Sequence, residues 1–228
     1  MKPKTYKWGI IGPGKIAGKF SEDLAKVPGA ELYAVASRDK GRAEEFAEKY
    51  KFSQSYGSYE ELAQDKEVDI IYIATPHVFH CENTLLCLRN KKAVLCEKPF
   101  AMNSEEVSKM IEAAKEHNVF LMEGMWTVFL PHYQYLLEKI KSREFGKLLN
   151  LKADFGFAAP YLPEKRLYNK SLGGGSLLDV GIYPVFAALS LMGVPEKVKA
   201  KAEICNTGID ESCIINFQYD TGAVASLD

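Results

Sequence analysis

Short apolar runs alternate with amphipathic segments along the first half of the chain. The apolar runs have the length and the β-branched content of buried strands: WGIIG, LYAVAS, DIIYIAT, AVLCE and VFLME. The segments between them place apolar residues on one face of a helix: FSEDLAKV, RAEEFAEKY, HCENTLLCLRN and SEEVSKMIEAAKEHN. This alternation predicts an α/β domain over residues 1–122, a doubly wound parallel sheet of the Rossmann type with its strand ends at one edge.

The pattern changes at about residue 123. One more amphipathic helix is followed by the run LLNLKADFGF, a glycine-rich helical segment, and the strands VKAKAEICN, CIINFQY and AVASLD. This order predicts an α+β domain with a largely antiparallel open sheet over residues 123–228. The last predicted strand ends at Asp228, so we expect this sheet to be incomplete at its carboxyl end.

Composition narrows the range of partners. The 228 residues include 29 basic and 30 acidic side chains, a balance that offers no basic surface for nucleic acid. The amino-terminal apolar run WGII is too short for a signal peptide, and we expect no apolar run of bilayer length, so we predict no membrane partner. The five cysteines include no CxxC pair, so we expect reduced thiols and a cytoplasmic protein.

The first predicted strand leads into a loop of small residues. The dinucleotide-binding fingerprint GxGxxG/A is filled by Gly12, Gly14 and Ala17, with Pro13, Lys15 and Ile16 between them. A simple Gly-Pro-Gly turn would also explain the glycines. A strand before the loop and a helix after it are the context that a pyrophosphate site requires, so we predict cofactor binding here.

Ser37 and Arg38 end the second strand, where an NAD-binding fold would place an acidic residue. A carboxylate there would bind the ribose 2′-hydroxyl, whereas serine with arginine can hold a 2′-phosphate. The sequence therefore favours NADP, with NAD as the alternative cofactor. The alternative for the residues is that Arg38 only covers the surface and Asp39 starts the next helix.

Thr75 ends the DIIYIAT strand, and Pro76 and His80 follow it at the same sheet edge, where we expect all three beside the cofactor. His77, His80 and Cys81 have the i, i+3, i+4 spacing of metal ligands on one helical face. No second Cys/His cluster accompanies them, so we predict no metal site and a hydrogen-bonded His80 at the start of a helix.

Glu97 ends the AVLCE strand, and Lys98 follows it directly before Pro99. Because proline restricts the backbone on both sides of its peptide bond, the Lys98 side chain has a defined direction. An ammonium at the nicotinamide end of the cofactor can polarise a substrate oxygen. A solvated turn would also explain the charged pair, but its predicted position at the ligand-binding edge favours cofactor and substrate contact.

The segment LGGGSLLDVGIYP contains Asp179 and Tyr183, which share one face if the segment is helical. The glycines allow another stretch of chain to approach closely. A glycine-rich loop before a core helix is the alternative. Together with Lys98 the two residues form an acid–base set, so we predict Lys98, Asp179 and Tyr183 as the catalytic residues.

These motifs together resemble those of the Gfo/Idh/MocA oxidoreductases, a family with an amino-terminal Rossmann domain and a carboxyl-terminal α/β domain with a large open sheet. The resemblance extends over essentially the whole chain. Within the family the chain is similar to the branch of dimeric dihydrodiol dehydrogenases and NADP-linked xylose dehydrogenases. Many sugar and inositol dehydrogenases of the family have histidine in the place of Tyr183.

The resemblance implies a role for each reacting residue. Lys98 lies by the nicotinamide ribose and the substrate hydroxyl, Tyr183 is the acid/base, and Asp179 orients the substrate. A phenol with a pKa of about 10 needs a nearby cation to act as a base near neutrality, and Lys98 can supply it. Trp126 and Phe155 are candidates to wall a sugar or aromatic ring, although a core role fits either residue equally well.

The expected function is NADP-dependent hydride transfer at a carbinol carbon of a sugar or a vicinal diol. The alternative is a catalytically silent NADP-binding sensor of the same fold. Two features depart from the family: Val128 stands where related enzymes often have arginine, and family members continue past this chain with strands that complete the dimerisation sheet. A complete sheet is expected to form a homo-oligomer.

Overall fold

The computed structural model describes residues 4–228 of the chain. The structure divides into two compact units, of which the first ends at Gly124 and the second comprises Met125–Asp228. The sequence placed the boundary between residues 122 and 123. Each unit has its own sheet and its own hydrophobic core.

The first unit is a six-stranded parallel sheet in the order β3-β2-β1-β4-β5-β6. Its strands are β1 (Tyr6–Ile11), β2 (Ala30–Ala36), β3 (Gln54–Tyr56), β4 (Ile70–Ile73), β5 (Ala93–Cys96) and β6 (Leu121–Glu123). Its helices are α1 (Lys15–Leu24), α2 (Lys40–Tyr50), α3 (Tyr59–Gln64), α4 (His80–Arg89) and α5 (Ser104–His117). This doubly wound order, which reverses between β1 and β4, confirms the predicted Rossmann fold.

Apolar side chains fill both faces of this sheet. The neighbouring residues Ile10 and Ile11 of β1 belong to different core clusters, as the alternation of side chains along a strand requires. Both are fully buried, and each contributes about 1.5–3 kcal/mol to stability. Because helices cover both faces, the strands are continuously apolar rather than alternating, which is why the pattern predicted them.

Two elements of the first unit were missed by the sequence prediction, the strand β3 and the helix α3. They contain three and six residues, too few for a periodic pattern to emerge. A local signal for α3 was nevertheless present. The Ser58 hydroxyl accepts a hydrogen bond from the Glu61 N–H at 3.2 Å, and Glu61 Oε2 accepts one from the Gly57 N–H at 3.1 Å, a reciprocal cap at the start of the helix.

The second unit is a four-stranded mixed sheet in the order β7-β10-β9-β8. Its elements are α6 (Pro131–Lys141), β7 (Asn150–Ala153), α7 (Ile182–Met192), β8 (Lys197–Ile204), β9 (Asp210–Gln218) and β10 (Val224–Leu227). Strand β10 pairs in parallel with β7 and antiparallel with β9, and β8 pairs antiparallel with β9. Ala188 of α7 joins Ile215 and Phe217 of β9 in the core. The predicted α+β architecture is therefore confirmed.

One stretch of the second unit corrects the expectation from hydropathy. Residues Lys170–Met192 are long and apolar enough to cross a membrane by length and composition, and 17% of the most apolar window is buried. The backbone of the stretch is interrupted, because Gly173 and Gly175 have φ of 73° and 134°. The absence of a membrane partner remains a prediction.

Candidate functional site

The glycine loop after β1 has the geometry of an anion cradle. Gly12 has φ of 87°, and a Cβ atom there would lie 2.9 Å from both the backbone nitrogen and Cγ2 of Thr75, so only glycine fits. A Cβ atom at Gly14 would meet nothing within 4 Å, and no side chain caps α1, which begins at the exposed Lys15. The first N–H groups of α1 can therefore bind an anion, and the loop fits the pyrophosphate of NAD(P).

Arg38 at the end of β2 rests on an aromatic platform. Its guanidinium carbon lies 5.4 Å from the centre of the Phe79 ring. Asp39 instead caps α2, because its carboxylate accepts a hydrogen bond from the Arg42 N–H at 3.3 Å, as the alternative interpretation proposed. The buried Ser37 accepts a hydrogen bond from the Asp39 N–H at 3.2 Å. Arg38 is thus the charged group that this turn presents.

His80 ties two ligand-side loops together. Its ring nitrogens Nδ1 and Nε2 lie 2.8 Å from the Pro99 carbonyl oxygen and 2.9 Å from the Thr75 carbonyl oxygen. Burial lowers the pKa of His80, and the two carbonyl groups act in the opposite direction. Since the ring is 1% exposed and both of its nitrogens face backbone carbonyl groups, His80 supports Thr75 and Pro99. Its place among the cofactor-binding residues remains a prediction. Within residues 4–228, no three His, Cys, Asp or Glu side chains are placed so that they could hold one metal ion, and the absence of a metal remains a prediction.

Glu97 holds the backbone of Lys98 at the carboxyl end of β5. Its Oε2 accepts a hydrogen bond from the Lys98 N–H at 3.1 Å, and its Oε1 accepts one from the Tyr72 hydroxyl at 2.5 Å. Burial raises the pKa of Glu97, while these two hydrogen bonds oppose the rise. The Lys98–Pro99 peptide bond is cis. The sequence therefore located this motif correctly at the sheet edge, but it did not reveal that Tyr72 supports it.

Tyr183 lies in an aromatic cluster of the second unit. The Trp126 indole N–H donates a hydrogen bond to the Tyr183 hydroxyl oxygen at 3.3 Å, and the Phe155 and Tyr183 rings are 5.4 Å apart. Trp126 and Phe155 are 59% and 44% exposed, so neither is a core residue. Because the indole N–H can only donate, the Tyr183 hydroxyl oxygen is the acceptor of this bond. The proton of the Tyr183 hydroxyl therefore points to a different acceptor.

Asp179 belongs to a π-helical turn, Leu177–Gly181, that leads into α7. The predicted glycine-rich helix thus begins with a wider turn. Asp210 of β9 holds the start of this turn, because its Oδ2 accepts hydrogen bonds from the Leu177 N–H at 2.6 Å and the Ser176 hydroxyl at 2.8 Å. Asp179 Oδ1 accepts a hydrogen bond from Nη2 of Arg166 at 2.9 Å.

A cavity of about 620 Å³ opens beside this turn. Phe155 and Asp179 line it, together with four further carboxylate residues: Asp154, Asp210, Glu211 and Asp228. None of its lining residues is a lysine or arginine. Its size is that of a pocket for a small organic ligand, and its negative lining favours a neutral or cationic one.

Sequence reasoning missed three residues that organise these groups, Tyr72, Arg166 and Asp210. Tyr72 was part of a predicted strand, and its apolar neighbours indicated only a core position. Arg166 and Asp210 reach their partners across 13 and 33 residues of chain. No local pattern encodes such pairings, so only the tertiary structure reveals them.

Two family models match the chain. Residues 6–125 match a Gfo/Idh/MocA model described as an oxidoreductase family with an NAD-binding Rossmann fold, and residues 133–228 match the Gfo/Idh/MocA carboxyl-terminal domain. The chain belongs to the Gfo/Idh/MocA oxidoreductase family. The resemblance stated from the motifs is therefore confirmed.

Relatives of this Gfo/Idh/MocA chain are named trans-1,2-dihydrobenzene-1,2-diol dehydrogenase. The relative from Mus musculus is 42% identical over 227 residues, which cover 98% of this chain and 68% of that protein. The relative from Homo sapiens is 40% identical over 219 residues, covering 94% of this chain and 65% of that protein. The chain thus spans about two thirds of the length of these dehydrogenases.

Solved structures are similar to this Gfo/Idh/MocA chain over nearly its whole length. A 3-ketoreductase from Actinomadura kijaniata in complex with NADP and TDP-benzene has a TM-score of 0.89 at 26% identity, covering 98% of this chain and 69% of that one. An NAD binding oxidoreductase from Klebsiella pneumoniae has a TM-score of 0.87 at 26% identity, covering 97% and 66%. The chain is thus a member of an NAD(P)-binding oxidoreductase family with dehydrogenase homologues.

Proposed function

We propose that this protein is an NADP-dependent dehydrogenase that acts on a secondary hydroxyl of a vicinal diol or a sugar. The observation that carries the proposal is the surroundings of Tyr183. The Trp126 indole donates a hydrogen bond to the Tyr183 hydroxyl, and the Tyr183 ring contacts the Phe155 ring. Phe155 and Asp179 both line the same cavity. The names of the dehydrogenase relatives agree with this substrate class.

The cofactor would be held by residues of the first unit. The loop Gly12–Pro13–Gly14 and the first residues of α1, Lys15 and Ile16, would bind the pyrophosphate through backbone N–H groups. Ser37 and Arg38 would bind the 2′-phosphate of NADP, which a guanidinium recognises well. Thr75, Pro76 and the Glu97–Lys98 pair would form the remaining contacts. When bound, NADP accepts or donates the hydride.

Three side chains would serve the substrate. Tyr183 would take the proton of the reacting hydroxyl in oxidation and return it in reduction. The Lys98 ammonium would stabilise the negative charge that develops on the substrate oxygen. Asp179 would accept a hydrogen bond from a substrate hydroxyl and so orient the reacting carbon. These assignments rest on the chemistry of the side chains and on the contacts within each unit.

The walls of the cavity suggest the kind of substrate. Phe155 offers an aromatic face near Tyr183, which suits an alicyclic diol or the apolar face of a sugar ring. The carboxylates around the cavity would repel phosphorylated or carboxylated substrates. A neutral compound with adjacent hydroxyl groups matches both features.

We also propose a cytoplasmic location and a homodimer formed through the four-stranded sheet. Lys199, Asn216 and Ser226 occupy matching positions on neighbouring strands and give one sheet face a polar surface. All eight residues of β8 are exposed. Sedimentation analysis of the protein would test the dimer.

The experiment that tests the function is the initial rate of NADPH formation with a trans-dihydrodiol, D-xylose and other aldoses, with NAD in parallel. We expect turnover with NADP and at least one of these substrates. Tyr183→Phe should lower kcat by about 100- to 10,000-fold, the range for loss of a general acid–base group. Tyr135→Phe removes the hydroxyl of an exposed tyrosine on α6 and is the matched control.

Three results would contradict the proposal in different ways. Tight NADPH binding without turnover on any substrate would favour the sensor function. Faster turnover with NAD than with NADP would refute the cofactor assignment alone. Full activity of Tyr183→Phe would remove Tyr183 from the chemistry while leaving the dehydrogenase activity in place.

A further inference from the structure

The carboxylate of Asp179 has a built-in cationic neighbour. Arg166 lies in a short 3₁₀ turn, Arg166–Tyr168, and its Nη2 donates to Asp179 Oδ1 at 2.9 Å. The side chains of Arg166 and Asp179 are 37% and 16% exposed. The pair is thus partly withdrawn from water, where a charged hydrogen bond counts for more than it does on an open surface.

The glycine-rich segment brings the two residues together. A Cβ atom at Gly174 would lie 2.6 Å from the Leu167 carbonyl oxygen and 2.7 Å from that of Arg166. The Gly175 N–H donates to the Leu167 carbonyl oxygen at 3.1 Å, and the Asp179 N–H donates to Gly175 O at 3.3 Å. The backbone therefore fixes the distance between the Arg166 turn and the Asp179 turn.

The charge around Asp179 explains why a cation is needed there. The cavity that Asp179 lines is surrounded by the carboxylates of Asp154, Asp210, Glu211 and Asp228, and its lining contains no lysine or arginine. Like charges at short range repel one another and displace flexible side chains. A guanidinium on one oxygen of Asp179 offsets this repulsion and restricts the carboxylate to one orientation.

We propose that Arg166 is a positioning residue that holds the Asp179 carboxylate as the hydrogen-bond acceptor for a hydroxyl group of a neutral polyol or diol substrate. This inference rests on the proposed function, because it assigns substrate binding to Asp179. Arg166 acts through Asp179 and has no part in proton or hydride transfer. Its loss should therefore weaken substrate binding more than it slows the chemical step.

The test compares Arg166→Gln, Arg166→Lys, Asp179→Asn and the double variant Arg166→Gln/Asp179→Asn. Arg166→Gln should raise the substrate KM about tenfold or more, the size expected for loss of a hydrogen bond between charged groups, with a smaller change in kcat. Arg166→Lys should recover part of the loss, because it restores the charge. Lys165→Gln removes an exposed charge from the neighbouring position and is the matched control.

The double variant separates positioning from a merely structural role. If Arg166 acts through Asp179, Arg166→Gln should add almost nothing in the Asp179→Asn background. Additive losses in the double variant, or an unchanged KM in Arg166→Gln, would overturn the inference. Circular dichroism and thermal unfolding, compared with the wild-type protein, show whether each variant is folded.

Substrate binding followed by tryptophan fluorescence distinguishes this inference from the proposed function. Wild-type turnover with no effect of Arg166→Gln would refute the inference and leave the function intact. Diol or sugar binding that is lost in Arg166→Gln, without wild-type turnover, would support the inference and refute the enzymatic function. A wild-type protein that neither binds nor converts any of these compounds would refute both.

Discussion

Replacing Arg38 by alanine should change cofactor preference more than any other single substitution in the first unit. Arg38 lies on the Phe79 ring with its guanidinium carbon 5.4 Å from the ring centre, so its direction is set before the cofactor binds. Loss of a charge-assisted contact to the 2′-phosphate costs about 1.5–3 kcal/mol. Each 1.4 kcal/mol is about tenfold in affinity, so the NADPH Kd should rise by about 10- to 150-fold.

The assay is a fluorescence titration with NADPH and NADH. Because NADH lacks the 2′-phosphate, its Kd should stay within about twofold of the wild-type value. Phe79→Leu keeps the charge but removes the platform, and should weaken NADPH binding by the smaller amount of about 0.5–1 kcal/mol that an exposed cation–π contact provides. Arg89→Ala, at the end of α4, removes the same charge elsewhere and is the control.

Equal losses of NADPH and NADH affinity in Arg38→Ala would refute the reasoning. Such a result would mean that Arg38 supports the fold or the common part of the cofactor. The Asp39 cap makes this distinction necessary, because Asp39 holds the first turn of α2 directly after Arg38. Circular dichroism of the variant would show whether α2 is intact.

Three further predictions concern stability and reactivity. Burial lowers the pKa of His80 below its ordinary value of about 6.5, so the unfolded chain takes up a proton at a higher pH than the folded chain does. The free energy of unfolding should therefore fall as the pH drops below about 6.5. His80→Gln should lose this part of the pH dependence in urea titrations, and an identical pH dependence in the variant would contradict the prediction. Asp210→Ala should lower the free energy of unfolding by about 1–3 kcal/mol, because it leaves the Leu177 N–H without its partner. Glu203→Ala on the exposed strand β8 is the control and should change the free energy of unfolding by less than about 0.5 kcal/mol. A hydrogen bond with Thr207 lowers the pKa of Cys205, whereas burial raises the pKa of Cys87. A thiol reagent should therefore modify Cys205 first, and Cys205→Ser should abolish the fast phase of labelling. Fast labelling that persists in the variant would refute this assignment.

The fold of the first unit followed from the sequence because its signals are local and strong. A strand such as Ile70–Ile73 is covered on both faces and needs only apolar residues, and the glycine loop needs small residues at fixed offsets. Strand β3 and helix α3 were missed because elements of three and six residues carry too little periodic pattern.

The candidate site divides along the same line. The glycine loop, Arg38, the Glu97–Lys98 pair and the glycine-rich segment with Asp179 and Tyr183 could all be named from residue type and spacing. Their partners could not. The indole of Trp126 meets the Tyr183 hydroxyl across 57 residues, and no spacing rule connects two such positions.

The sequence by itself determined the family, the class of cofactor and the residues proposed to carry the chemistry, because each of these depends on short motifs and hydrophobic periodicity. Only the tertiary structure decided which groups contact the candidate side chains: Tyr72 contacts Glu97, Trp126 contacts Tyr183 and Arg166 contacts Asp179. The physical reason is that hydrogen bonds and ion pairs act over about 3 Å in space. Chain positions far apart in sequence meet at that distance only after the hydrophobic core has fixed the backbone.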